Sequence, residues 1–376
     1  MISNYPPNTD AQYETRYVHP DLVHETYQKD FEKLSPNSRR IISPLLLEDI
    51  WKLCERTEGL EFEDLFDREG LLTQKGYTTL IAAEPDVILP EESFHNLIKT
   101  FFCLQLAHYG ESGGHAYHNV PHDFDVTENG MRSIREIIKT IKLPLSEIQI
   151  YILAHFAHDL GHCGRTLRQL DPETDERIAD KDRYTTGLSN EAHSVALTDQ
   201  FLKAAGFSIR QRLVFQGMVM GTTFFDIKKA HLLTPEEKPI PHTLLERMLS
   251  INDLAAGTLM GSEDEFLDRS LAALFDEKPK KVWPKNIDEW IAKTNDFFQY
   301  FVALRMTNGD KLGEGEPLHV ARILYGKVFD QRSAMFNVLA DKDPAVRKVA
   351  KEAFAAFLEK ALTKFQPYFD ELAGVT

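Results

Sequence analysis

The stretch Ile148-Gln149-Ile150-Tyr151-Ile152-Leu153 and its continuation Ala154-His155-Phe156-Ala157-His158-Asp159-Leu160-Gly161-His162 constrain this chain more than any other. The apolar run has the length and the lack of breakers of a buried helix. A helix that is apolar on nearly every side sits in an interior. Three histidines and an aspartate carried into that interior need partners, because an unpaired buried charge is costly. His158 and His162 stand four apart and share a helix face, and Asp159 sets a carboxylate oxygen beside an imidazole. Taken alone, a His–Asp pair on a helix is usually a satisfied core hydrogen bond. An upstream cluster repeats the pattern: Tyr117-His118-Asn119-Val120-Pro121-His122-Asp123-Phe124-Asp125-Val126. There His118 and His122 are again four apart, and Pro121 suits a first helical turn. Two such clusters, each followed by a carboxylate, point to a metal site rather than to packing.

Around these clusters the helical period continues. Apolar residues keep it after Ser43-Pro44, through Phe94–Leu104, and from His122 through Ile134, Ile137, Ile138 and Ile141 to Pro144. It resumes in 188–197, with Ser189 or Asn190 as cap, and in Leu213–Thr223. Leu244–Leu254 is a buried helix bearing Asp253. Trp290, Phe297, Phe298, Phe301 and Leu304 line an aromatic helix, and Val346, Ala350, Phe354, Phe357, Leu358, Leu362 and Phe365 a terminal one. No alternation of period two and no internal repeat is visible. The expected fold is all-α, a compact multi-helix bundle whose polar residues converge inside. Residues 1–40 read as an N-terminal arm or loose helical lead-in, and 41–376 as one domain. A chain of 376 residues with 43% hydrophobic residues can build one large helical body.

With 58 acidic against 43 basic residues the net charge is −15, which argues against nonspecific nucleic-acid or anionic-membrane binding. An anionic small-molecule substrate is still allowed, because a bound metal supplies local positive charge. Three cysteines without CxxC spacing speak for a reducing compartment. The start lacks a signal-peptide core, and no run approaches the ~18 apolar residues of a membrane span. A cytoplasmic, soluble protein is expected, and nothing in the sequence speaks to its oligomeric state.

His122, His158, Asp159 and Asp253 would give one metal two nitrogens and two oxygens, a set suited to zinc or another first-row divalent ion. Positions left open for water mark a catalytic site. Asp159, with two oxygens, could bridge to a second metal ~3.5–4 Å away, and water held between the two would ionise near neutral pH and attack phosphorus. His118, one turn from a ligand, is placed to protonate the leaving oxygen.

Tyr117-His118-Asn119-x-x-His122-x-x-Asp125-Val126 followed by His158-Asp159-x-x-His162-x-Gly164 resembles the signature of class I cyclic nucleotide phosphodiesterase catalytic domains, members of the HD metallohydrolases. The resemblance runs from about residue 40 to the C-terminus. It implies that the bundle is of that type, with a buried two-metal site, and that 3′,5′-cyclic nucleotides (cAMP or cGMP) are opened to 5′-monophosphates. It further implies His118 as general acid, with His122, His158, Asp159 and Asp253 on the first metal, zinc. A second metal, Mg2+ or Mn2+, would share Asp159, its waters held by His162, Glu191 and Thr222. Tyr117 and His193 would face the site, and Phe297 would clamp the base. The departures concern base reading: Thr294 stands where the family has a purine-binding glutamine, and Ala256 where it has an asparagine. Thr223 replaces an aspartate and Leu167 an asparagine. Asn295 or Gln299 could read the base instead. The altered positions leave open the same hydrolysis on another nucleotide or phosphate ester, and a non-catalytic nucleotide- or metal-binding sensor is the rival.

Overall fold

Helix starts in this protein are set largely by side chains that accept from the first free N–H groups. In the computed structural model, which describes residues 36–68, 71–111, 116–163, 190–223, 243–277, 284–307 and 316–373, Ser43 caps α1 (Pro44–Arg56) and Thr73 caps α2 (Gln74–Ala83). The long α3 spans Glu91–Glu111. Asn119 accepts from the His122 amide and begins α4 (Val120–Ile137), with Pro121 in the first turn. The apolar run forms α5 (Leu145–Ala157), and α6 covers Asn190–Ala204. Reciprocal capping boxes open α7 (Ile209–Met220; Ser208 with Gln211) and α8 (Leu244–Thr258; Thr243 with Glu246). Then come α9 (Glu263–Glu277), α10 (Ile287–Asp296), α11 (His319–Leu339), α12 (Pro344–Ala353) and α13 (Ala355–Leu372).

The fold is all-helical among the described residues; only isolated β-bridges such as Arg40 with Leu71 and Thr307 with Pro317 interrupt it. The helices gather round a core in which α5, the most apolar element, packs between α4 and α7. Next to α4 lies α8, and α11 closes over both. A smaller apolar cluster of α1 and α2 rests on Ile209 and Leu213 of α7. Residues 1–35 of the expected arm lie outside the described residues. Residues 36–40 are packed on α7: Ser38 is buried, the Gln216 amide donates to the Arg40 carbonyl, and its oxygen accepts from Ile42 N–H. No helix among the described residues is long and apolar enough to cross a membrane.

Several helix limits depart from the sequence expectation. Instead of running to Pro144, α4 ends at Ile137, and Ile138 and Ile141 stand exposed. The terminal segment is two helices, broken at Phe354, with Val346 and Leu362 exposed. The aromatic helix widens into a π-helical stretch at Phe297–Val302 before a last turn, Ala303–Arg305. Phe298 and Trp290 are buried there, while Phe297 and Phe301 are half-buried and stacked on one another.

Candidate metal centre

The end of α5 makes the site. The helix does not continue to His162: it stops at Ala157, His158 and Asp159 form a turn, and Leu160–Cys163 is a short 3-10 segment. A staple from α6 holds the turn. Ser194 Oγ accepts from Gly161 N–H at 2.6 Å and lies 2.7 Å from the His158 carbonyl. Gly161 is required there, since a Cβ would overlap the Asn190 carbonyl. The staple brings His158 and Asp159 against the first turn of α4.

At that junction the donor atoms converge. Asp159 Oδ2 lies 3.2 Å from both His122 Nε2 and His158 Nε2, and Asp253 Oδ1 of α8 lies 3.2 and 3.7 Å from the same two nitrogens. All four residues are buried. His158 Nδ1 bonds to the His155 carbonyl at 2.9 Å, which keeps a proton on Nδ1 and turns Nε2 toward the two carboxylates. That Nε2 is fully buried and makes no hydrogen bond of regular geometry, though two carboxylates lie beside it. His122 Nε2 is hydrogen-bonded to Asp253 Oδ1, and two imidazole nitrogens and two carboxylate oxygens gathered this closely are a donor set that a cation could use.

Asp123, which follows His122 as Asp159 follows His158, belongs to the same group. Ligand atoms of His122, Asp123, His158 and Asp159 lie within 4.8 Å of one another, a buried cluster able to hold a metal ion. The Asp123 carboxylate accepts from Gln105 Nε2 at 2.8 Å, an amide that also reaches the Phe156 carbonyl, while Asp253 Oδ1 lies beside both Nε2 atoms. Both carboxylates thus stand at the two histidines. Sequence reasoning passed over Asp123; the repeated His-Asp pair was the available signal.

Electrostatics agree with a cation site. Burial works against charge on His122, but Asp159 and Asp253 override it and raise the imidazole to about 9. Burial likewise opposes the charge of Asp253, yet the two histidines hold it down to about 2. His158 is raised too, burial again being outweighed by Asp159 and Asp253. In the absence of metal, protons on the histidines thus take the cation's place. His155 is different: burial lowers it to about 3, and it stays neutral with Nδ1 on the Tyr151 carbonyl and Nε2 on Asn252.

The remaining expected site residues divide. Tyr117 and His118 stand at the cluster, with ring centroids 4.4 and 6.0 Å from that of His122. Tyr117 lies on Gly257, one turn beyond Asp253, where a Cβ would overlap its ring. Glu191 is buried and His193 half-buried on the first turn of α6, next to the staple. Thr222 is buried just past α7, its hydroxyl donating to the Val219 carbonyl. His162 lies on the 3-10 segment. Thr294 and Phe297 are half-buried on the α10 rod. Ala256 is fully buried, and its carbonyl accepts from Arg269, so it faces no open pocket. Gln299 donates to Ser333 Oγ, whereas Asn295 Oδ1 is buried without a partner. Asp125 pairs with Arg269 at 2.5 Å rather than joining the cluster. Leu167, Gly164 and Ser189 lie outside the described residues.

Comparison of the chain with protein-family models, curated proteins and solved structures gives no match. The likeness to the phosphodiesterase signature therefore rests on the motif residues, and the bundle is described as all-helical without a family.

Proposed function

We propose that this protein is a metal-dependent phosphodiesterase of the HD type, acting on 3′,5′-cyclic nucleotides or a related phosphodiester. One observation carries the reading: two imidazole Nε2 atoms and two carboxylate oxygens, drawn from three elements, converge in the interior with a further histidine, His118, beside them. Zinc at the His122–His158–Asp159–Asp253 set, with Mg2+ or Mn2+ sharing Asp159, would supply Lewis acidity to phosphate oxygens and lower the pKa of water. The chain's own groups do the rest. The His155 carbonyl holds the His158 tautomer, and Gln105 fixes the Asp123 carboxylate. His118 donates its proton to the departing ester oxygen. Tyr117, wedged between His122 and Gly257, bounds the pocket. Which base, if any, is read turns on the α10 rod, where Asn295 Oδ1 is an acceptor without a partner and the Gln299 amide is engaged.

The test is a hydrolysis screen of the full chain over cyclic and linear nucleotides and bis(p-nitrophenyl) phosphate, with zinc plus magnesium or manganese and parallel metal analysis. Metal-dependent turnover abolished by chelator is expected. Full activity in a metal-free preparation would overturn the reading, and stoichiometric metal without turnover on any ester would favour a sensor.

A further inference from the structure

Among the buried charges of the described residues, Arg305 is the one whose surroundings do not account for it. It ends the last turn of the α10 rod, Ala303–Arg305, and that turn packs on α8. The two residues after it are tied to the segment before α11, where Leu318 N–H donates to the Met306 carbonyl at 2.8 Å and Thr307 bridges to Pro317. Only 8% of the residue is exposed, and its Nη1 is buried with no hydrogen-bond partner. Two charged groups bear on it: Arg247, itself buried on α8, and Asp253, the α8 carboxylate of the metal centre. Asp253 is already committed to His122 and His158.

A guanidinium taken out of water without a bonded counter-ion is destabilising, and a second arginine nearby makes it more so. Burial first, then the charge of Arg247, pulls Arg305 down to about 10 against the opposing pull of Asp253. It nonetheless keeps its proton at neutral pH. A buried guanidinium whose Nη1 has no hydrogen-bond partner stays in an interior when something negative visits it. The guanidinium fork, with donors in one plane, matches the oxygens of a phosphate.

We propose that Arg305 is an oxyanion subsite near Asp253 that receives a phosphate group of the ligand. The subsite adds a recognition element to the phosphodiester reading but does not depend on it, because a buried guanidinium with an unbonded Nη1 would bind an oxyanion whatever reaction the site performs. In use, one phosphate oxygen pairs with Arg305 Nη1, and Asp253, turned toward the metal ligands, marks the border between subsite and metal centre. The group bound there is a phosphate monoester or inorganic phosphate, whose oxygens match the guanidinium fork of Arg305.

The experiment reads phosphate binding without turnover. The full chain is treated with chelator, dialysed, and titrated with inorganic phosphate at matched ionic strength against chloride, by calorimetry and thermal shift. Wild type should bind phosphate and rise in melting temperature with it. Arg305→Met should bind at least tenfold more weakly, yet melt no lower than wild type in chloride because the unpaired charge is gone. Arg305→Lys keeps the charge and the aliphatic stem but loses the fork, so it should bind more weakly than wild type, and it carries the test if the methionine variant does not fold. Phosphate binding equal to wild type in either variant, or no binding by wild type at tens of millimolar phosphate, overturns the subsite. A chain that binds phosphate through Arg305 and hydrolyses no ester leaves the subsite standing and removes only the hydrolytic reading.

Discussion

His118 and His122 stand four residues apart, and the proposed site uses them differently, His122 as a ligand and His118 as the acid. His122 has Asp159 and Asp253 at 3.2 Å; His118 meets Tyr117 and the edge of His122. Replacing His118 with alanine should leave the bound metal in place. It should lower kcat by roughly 10²–10⁴-fold on a substrate with an alkoxide leaving group, the range for general acid–base catalysis. On bis(p-nitrophenyl) phosphate, whose nitrophenolate departs unprotonated, the loss should be far smaller, and equal losses on both substrates would place His118 in another role. At His122 the proton and the metal compete. Its imidazole is raised from 6.5 to about 9, so in the metal-free chain its contribution to stability is fully present below about 6.5. That contribution is lost as pH climbs through 9. Zinc needs the neutral imidazole, so zinc affinity should rise with pH over the same interval, with proton release visible in calorimetry across buffers of different ionisation enthalpy. An affinity flat between pH 6 and 9 would mean that His122 is not a ligand.

Between elements, one side chain ties the helices that carry the ligands. Asn252, the neighbour of Asp253, donates toward His155 Nε2 at 3.0 Å and to the Tyr151 hydroxyl at 3.1 Å on α5. Its oxygen accepts from Ser133 of α4 at 2.9 Å and from Tyr325 of α11 at 2.8 Å. Each orphaned buried partner costs about 1–3 kcal/mol. Asn252→Leu should therefore lower the urea midpoint by the equivalent of about 3 kcal/mol or more with the slope unchanged, and weaken zinc binding as α4, α5 and α8 loosen. A loss below about 1 kcal/mol would show that the knot is dispensable. The sequence could name the helices of this arrangement but not their ends. The apolar period runs on through Leu160, so nothing in it marks the stop at Ala157. That stop is made by Ser194 and Gly161, 33 positions apart, which engage the freed backbone. In the same way Ile138 and Ile141 keep the period past the end of α4 while facing solvent. The convergence of His122, His158 and Asp159 was legible because two His-Asp pairs, each on an apolar helix, are hard to explain by packing alone. Asn252 and Arg305 were not, since a polar residue in an apolar stretch does not say which partner waits across the bundle.

For the whole molecule, the contacts among His122, His158, Asp159 and Asp253 tie together α4, the end of α5 and α8, while other parts of the body are held by different means. The α1–α2 cluster rests on α7 through Leu46, Ile50, Leu65 and Tyr77, and Arg212 of α7 binds Asp49 and Asp199, both at 2.6 Å. The C-terminal helices pack through Trp290, Phe336, Phe357 and Phe365. None of these contacts involves His122, His158, Asp159 or Asp253. Removing the metal should then lower stability without unfolding the chain: the core keeps the helices, and protonated histidines partly replace the cation. A ligand at a thousand times its dissociation constant stabilises by about 4 kcal/mol, which for a body of this size corresponds to a fall in Tm of several degrees on chelation. Far-UV circular dichroism should keep its helical signal at 25 °C, and stoichiometric zinc should restore the melting temperature. Asp159→Ala should melt like the chelated wild type and gain nothing from zinc, because it removes the oxygen that touches both histidines. A melting temperature indifferent to chelator and zinc in the wild-type chain would mean that the convergence of His122, His158, Asp159 and Asp253 is held by protons alone, and that the site is not a metal centre.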